Sequence, residues 1–388
     1  MTGRRLLWAV LILASAVLYF YTRTAASLLL LSAALLLPGV SLILVILSAK
    51  RVAAWLKIPA ALQKNAPVRC ELRLKNRSFV PLGRVDVLIT VRNALTCREE
   101  RFTASLPAAP FEEKEIVFNF ESAHCGQFVF SLDSLLLYDI LGLRAMRVKA
   151  GTKEKRSVPP HTFSLQAALA GGEIAGGGGE SISLALKGQD RTEPFQIREY
   201  IEGDSPKQIH WKLSQKFGRY LVADPSLELE QALLILWDSG PLTKDLPANV
   251  PDALAEAILS LGISLAENSI PYSAMWKNTD SGEIVLKEVS AMDDVYEVIP
   301  GILGAGAGGG LSLIPEFLHT LSERRYPLIA YFSCAAPKEL DELALMGEVT
   351  AFLCQENAAA DDGSAADAYK RRVFTPCNYQ SVLGDAAI

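Results

Sequence analysis

The sequence predicts a doubly wound α/β domain joined to an all-β, sandwich-like module, with a two-helix transmembrane hairpin in front of both. Three observations carry this expectation. The first fifty residues hold two apolar runs without a single charge. Residues 60–150 alternate apolar and polar side chains between turn signals. Beyond residue 230, short apolar runs alternate with stretches of helical periodicity. Runs of strands followed by alternating strands and helices read as two differently built layers of structure.

The hairpin is assigned to residues 1–52. Leu6–Tyr21 and Ala25–Leu47 carry no charge. A bilayer-spanning helix needs about 20 apolar residues. The second run meets that length, with Pro38-Gly39 as the expected kink. The first is shorter, but Trp8, Tyr19, Tyr21 and the flanking arginines can reach the interface. Ala14-Ser15-Ala16 would pass as a signal-peptidase site, yet the apolar stretch runs past it and a full span follows. Arg4 and Arg5 precede the first span, Lys50, Arg51 and Lys57 follow the second, and only Arg23 lies between them. The positive-inside rule then predicts a multi-pass cell-membrane protein with both termini cytoplasmic. Cys70, Cys97, Cys125, Cys334, Cys354 and Cys377 are widely spaced with no C-x-x-C, as free thiols of a reducing compartment would be.

The β module is assigned to residues 60–150. Val68–Leu74, Val85–Val91, Glu115–Phe120 and Gln127–Leu132 alternate with period two. Asn76-Arg77-Ser78, Pro107–Pro110 and His124-Cys125-Gly126 supply the turns, and Asp139–Leu143 closes the module. Residues 151–195 read as a linker containing the glycine-rich Gly171–Gly179. No GK[ST] accompanies those glycines, so they are not a phosphate cradle.

The α/β domain is assigned to residues 196–356. Gln231–Trp237 is continuously apolar, as a central parallel strand is. Leu254, Ile258, Leu261 and Leu265 form the buried stripe of a helix opened by Asn249 and Pro251. Strands are expected at Ile270–Trp276, Ile284–Val289, Pro327–Cys334 and, last, Glu348–Cys354. Helices are expected at Asp293–Leu303, Leu311–Arg325 and Pro337–Met346. Residues 357–388 read as a tail, poorly ordered at its end.

The densest polar stretch is Arg198–Lys212. Ser205-Pro206-Lys207-Gln208 is a capping box that would start a helix reaching Phe217, closed by Gly218. Ile209, Leu213 and Phe217 share one face and are the expected anchors. Gly203 suits a positive φ, and Asp204 then sits before the positive helix end, close enough in sequence to pair with Arg198. No nucleophile or metal spacing runs through the stretch, and His210 reads as a half-buried ring rather than a base. The segment therefore reads as bracing or recognition. The formal net charge of -5 argues against nucleic acid as a partner.

Arg198-Glu199-Tyr200, Gly203-Asp204, Ile209-His210-Trp211 and Gly218-Arg219-Tyr220-Leu221-Val222 resemble the signature of the domain of unknown function 58 family, with its R-E-Y, G-D and I-D-W followed by a short basic helix and a strand. Two spans, a β module and an α/β domain similar to von Willebrand factor A extend the likeness along most of the chain. His210 stands where the family has Asp, and Ser214-Gln215-Lys216 replaces a small-and-basic pattern. The resemblance implies a von Willebrand factor A-like fold and a divalent-ion motif, D-x-S-x-S, after the first strand. Here that place reads Asp238-Ser239-Gly240-Pro241-Leu242, so only Asp238 and Ser239 remain as metal candidates and no metal or other cofactor is expected.

The resemblance also implies partners, a MoxR-type AAA+ ATPase and a transglutaminase-like membrane protein. The chain has no Walker motif of its own. The expectation is a membrane-anchored, non-enzymatic adaptor or assembly factor. Arg198, Glu199, Tyr200, Gly203, Asp204, His210 and Trp211 are its expected interaction surface, with no catalytic residue. The alternatives are a Cys/His hydrolase drawing on His210, Cys125 or Cys334, and an envelope scaffold that binds through an edge of the β module.

Overall fold

Two helices open the chain, α1 (Thr2–Thr22) and α2 (Ala25–Ala49). Both are long and apolar enough to cross a membrane. Between them Arg23 takes a φ of 46°, and the Thr24 side chain caps α2 by accepting from the Ser27 N–H. The helix continues through Pro38. Proline brings no N–H, so it leaves the carbonyl four residues back without its helical donor. That carbonyl is Ala34 O, and the Trp8 indole N–H donates to it at 3.1 Å. One helix thus repairs the defect in the other.

The structure, a computed structural model, describes residues 2–163, 187–200, 209, 211–226, 233–243, 245–306, 310–321, 326–356 and 369–384. It divides into two compact units. The first comprises Met1–Asn93, Arg98–Ala123 and Gln127–Val158, and the second Ala94–Cys97, His124–Gly126 and Pro159–Ile388.

In the first unit, β1 (Val52–Lys57), β2 (Val68–Asn76) and β5 (Glu113–Phe120) form one sheet in the order β1-β2-β5. A second sheet runs β4-β3-β6-β7, from β3 (Leu82–Asn93), β4 (Glu99–Ala108), β6 (Gly126–Tyr138) and β7 (Ala145–Lys149), with β8 (Lys153–Val158) paired to β6. The registered pairs are antiparallel. Alternation puts Cys70, Leu72 and Leu74 of β2 and Val85, Val87 and Ile89 of β3 into one core. Val45 and Ala49 join it, so the last turns of α2 are packed by protein.

Three expectations change here. The module does not end at Asp139–Leu143, because β7 and β8 follow that turn. The expected linker 151–195 contributes β8 and part of β9 (Lys187–Glu199). β1 lies in what reads as a gap between hairpin and module. Its Ala-Ala-Trp has no alternation to detect, and only the ladder to β2 makes it a strand.

In the second unit β9 pairs antiparallel with β10 (Leu221–Ser226), and α3 (Trp211–Phe217) lies between them in sequence. A six-stranded sheet follows, in the order β13-β12-β11-β14-β15-β16. Its strands are β11 (Leu233–Trp237), β12 (Tyr272–Lys277), β13 (Ile284–Val289), β14 (Leu328–Ser333), β15 (Glu348–Cys354) and β16 (Lys370–Phe374). Every pairing is parallel except β12 with β13. The helices are α4 (Asn249–Glu267), α5 (Met292–Gly304), α6 (Ile314–Thr320), α7 (Leu340–Ala344) and α8 (Tyr379–Gly384).

β11 feeds both faces of this sheet. Leu233, Ile235 and Trp237 enter one core, which includes buried residues of α4 and α5. Leu234 and Leu236 enter the other, which includes residues of α6 and α7. A strand buried on both faces needs no polar side, which is why its sequence is unbroken. The stripe Leu254, Ile258, Leu261 and Leu265 is buried as its spacing requires. On another face of α4, Asp252, Glu256 and Ser260 recur every fourth residue. They accept the backbone N–H groups of Cys125, His161 and Phe163, all members of this unit.

The expected tail is corrected by β16, which pairs with β15 and buries Phe374. β15 is therefore not the last strand. Lys370-Arg371-Arg372 reads as a polar tail, and its strand character comes from the neighbour it pairs with. Of the helix expected over Leu311–Arg325, the described part is only Ile314–Thr320.

Candidate functional site

Two places in the second unit answer the chemistry expected of it. The first is the signature segment. β9 ends with Arg198 and Glu199, registered with Val222 and Leu221 of β10. Tyr200 continues the ladder by donating its N–H to Tyr220 O at 2.9 Å, and Ile209 bridges to Val222. α3 is fastened by one buried hydroxyl, as Ser214 Oγ accepts the Leu221 N–H at 2.9 Å. Gly218 closes the helix with a φ of 66°, as its left-handed C-terminal role requires.

The anchoring stripe is corrected. Phe217 is 56% exposed, and Ile209 and Leu213 are half-buried, so a hydroxyl holds the helix where an apolar face was expected. Seven residues make barely two turns, too few to bury a full stripe while its ends stay paired to a ribbon.

What the fold assembles instead is aromatic. Tyr220 stands between two rings, edge-on to Tyr200 at 6.4 Å and to Trp211 at 6.2 Å. Trp211 and Tyr220 are 61% and 62% exposed. Lys216 lies over the Phe217 ring at 5.8 Å. These rings are held edge to face yet left in water. Tyr220 and Phe217 were not among the expected interaction residues. A polar-tipped aromatic two residues after the helix-closing Gly218 is the signal that could have singled out Tyr220. Gly203, Asp204 and His210 lie outside the described residues, as does the capping box Ser205–Gln208.

The second place is Asp238, directly after β11. It is fully buried. Its Oδ1 accepts the N–H of Gly240 at 2.9 Å and of Leu313 at 3.1 Å. Its Oδ2 accepts the hydroxyls of Tyr331 at 2.7 Å and Ser312 at 2.8 Å. Burial pushes its carboxyl above the ordinary range, against the pull of those four donors. Burial also raises the Tyr331 phenol, beside the same carboxylate.

A carboxylate offers about four lone-pair sites. All four are taken by donors, so Asp238 has none left for a cation. Nor can the first serine of D-x-S-x-S be restored. A Cβ on Gly240 would lie 2.0 Å from Leu311 O and 2.9 Å from Asp238 Oδ1. Ser239 is buried next to Asp238 in the chain. Among the described residues no group of three or more His, Cys, Asp or Glu could hold a metal. The residues do not fit a divalent ion. Tyr331 and Ser312, missed in the sequence, do the neutralising. A lone Tyr inside the apolar run of β14 was the available clue, since its hydroxyl needs a partner.

Cys334 and Cys354 are not poised for nucleophilic work. Burial pushes Cys334 up to about 11 and Cys354 up to about 12, where an activated thiol would be lowered. Cys125 is buried with its N–H on Asp252 at 2.6 Å.

The chain matches no protein-family model, and no curated protein matches it. Among solved structures it is similar over 28% of its length to the CARDB domain of a protein from Pyrococcus furiosus, covering 91% of that chain at 15% identity and a TM-score of 0.22. It is similar to a cohesin module of a Clostridium perfringens glycoside hydrolase over 28% of this chain and 96% of that one, at 9% identity and a TM-score of 0.22. For a β-glucosidase from Listeria innocua the figures are 28% of this chain and 16% of that one, at 11% identity and 0.21. Scores this low carry no argument about fold or activity.

Proposed function

We propose that this chain is a membrane-anchored, non-enzymatic adaptor of the domain of unknown function 58 type. In this reading α1 and α2 cross the cell membrane with both outer ends cytoplasmic. The six-stranded domain is von Willebrand factor A-like and docks a MoxR-type AAA+ ATPase, with a transglutaminase-like membrane protein as a further associate. The observation that carries it is the exposed Tyr200–Tyr220–Trp211 array on the segment bearing the family-like motif. Aromatic side chains contribute most of the energy at the centres of protein interfaces. Two features support the domain reading. In chain order the six strands lie 3-2-1-4-5-6 with an antiparallel strand at one edge. An aspartate follows the first strand, at the carboxyl end of the sheet where the strand order reverses.

The test is co-purification from membranes. Full-length protein should recover an AAA+ ATPase in at least one nucleotide state, and the Trp211→Ala/Tyr220→Ala pair should lose it while keeping its amount in the membrane. Recovery that is unchanged by the pair, or no ATPase in any nucleotide state, would overturn the reading. Protease accessibility of tags on Met1 and Ile388 in sealed vesicles checks the orientation separately.

A further inference from the structure

The described residues of the first unit line an open cavity of about 380 Å³ that the adaptor reading does not use. Its lower wall is apolar, made by Ala9 and Ile12 of α1 and Pro38 and Leu42 of α2, with the Trp8 ring beside them. Its upper wall comes from the β6–β7 turn and is charged, with Asp139, Leu143 and Arg144, together with Arg5 from the start of α1.

The charged groups are not spent on each other. Arg5 gives its Nε to Leu143 O at 2.8 Å, which fixes the guanidinium at the rim and leaves its two terminal nitrogens free of any ion pair among the described residues. The Arg144 side chain is exposed, and none of the ion pairs among the described residues involves it. Asp139 is buried and already occupied. One oxygen accepts the Arg144 N–H at 2.6 Å and the other the Ser41 hydroxyl at 3.1 Å. Arg4 packs over Gly142 in the same turn, where a Cβ would lie 2.2 Å from its Nη1. Two arginines, Arg5 and Arg144, thus line the cavity with one internally bonded carboxylate, leaving a net positive rim above an apolar floor.

We infer that this cavity binds the phosphodiester headgroup of an anionic phospholipid, with the glycerol and upper acyl chain lying along Ile12, Pro38 and Leu42. The inference rests on the membrane reading of α1 and α2. The chemistry is specific. A guanidinium offers paired N–H donors that match two phosphate oxygens, and basic pockets between transmembrane helices suit lipid headgroups. Trp8 supplies the amphipathic ring usual at headgroup depth. A free phosphate would satisfy the arginines but leave the apolar floor uncovered, so the lipid is favoured over the soluble anion.

The experiment measures the thermal midpoint of the detergent-solubilised full chain titrated with phosphatidylglycerol, phosphatidylcholine or glycerol-1-phosphate. Phosphatidylglycerol should raise the midpoint at concentrations where the other two do nothing. The Arg5→Gln/Arg144→Gln pair should need more lipid, by about fivefold for each arginine removed. Asp139→Asn, which keeps the acceptor for the Arg144 N–H and removes the opposing charge, should need less. This gain does not depend on a damaged fold. Equal shifts with phosphatidylcholine, an equal shift with glycerol-1-phosphate, or an unchanged titration in both variants would overturn the inference. Alkaline extraction of wild-type membranes keeps the two readings apart. Release of the chain into the supernatant sinks the membrane reading, whereas retention without lipid selectivity sinks only the site.

Discussion

Asp238 and the Tyr200–Tyr220–Trp211 array occupy the two places where this sequence is richest in chemistry, and the fold treats them in opposite ways. Asp238 is withdrawn from solvent, and two backbone N–H groups and two hydroxyls fill its oxygens. The aromatic array is left in water, held only by edge contacts and a ribbon. One has no capacity left and the other has all of it. Polar density in a sequence therefore does not locate an available site. What decides is whether the surrounding chain supplies the partners itself.

The largest expected effect tests the closed half of this contrast. Asp238→Ala strands four donors at once, most of them buried, and should cost the second unit about 3–5 kcal/mol. Denaturant unfolding of the full chain in detergent, followed by far-ultraviolet circular dichroism, measures it. A cost below about 1 kcal/mol would mean that the cage is not closed.

The open half comes next. Removing a central aromatic hot spot is worth about 2 kcal/mol, roughly 30-fold in affinity. If the chain is the adaptor proposed above, Trp211→Ala should weaken capture of its ATPase partner by that order while leaving stability within about 0.5 kcal/mol, because the ring is exposed. Large destabilisation with unchanged capture would move Trp211 from the docking surface into the architecture.

Gly240→Ala probes the closed site more finely. Its Cβ must displace Leu311 O, and overpacking of this kind costs about 1–3 kcal/mol. The thermal midpoint of the variant should not depend on added magnesium. A magnesium-dependent rise would show that the loop had been covering a cation site.

A smaller effect appears on changing pH. The folded carboxyl of Asp238 is raised above its unfolded value, so the native state binds this proton first as pH falls. Its contribution to stability accordingly improves as pH drops through the raised folded value toward the ordinary carboxylate range, and worsens as pH rises through it. Asp238→Asn keeps the shape and can still meet the hydroxyls. It should lie within about 1 kcal/mol of wild type. Wild type should lose ground to it with rising pH, and a difference that stays flat across that window would contradict the shift. The smallest effect is chemical: iodoacetamide at neutral pH should label exposed Cys377 and spare buried Cys354, as peptide mapping would reveal.

Much of the architecture was legible because periodicity reports burial directly. β11 and the stripe of α4 could be read residue by residue, since a strand covered on both faces and a helix packed on one side leave few alternatives. β1, β7 and β16 could not. They are short, and all three carry basic residues, so their strand character comes from the neighbour they pair with. The same limit hid the sites. Tyr331 and Ser312 meet Asp238 only because β14 lies beside β11 and the residue 310–313 loop folds over both.

Local spacing alone specifies the two apolar helices, the alternating β module and the central strands, because hydrophobic burial is written in it. The tertiary structure alone decided that Asp238 is saturated, that the aromatic rings of the signature stand exposed, and that Arg5 and Arg144 meet around one cavity. Hydrogen-bond satisfaction and charge pairing depend on groups far apart in the chain, and no local pattern records them.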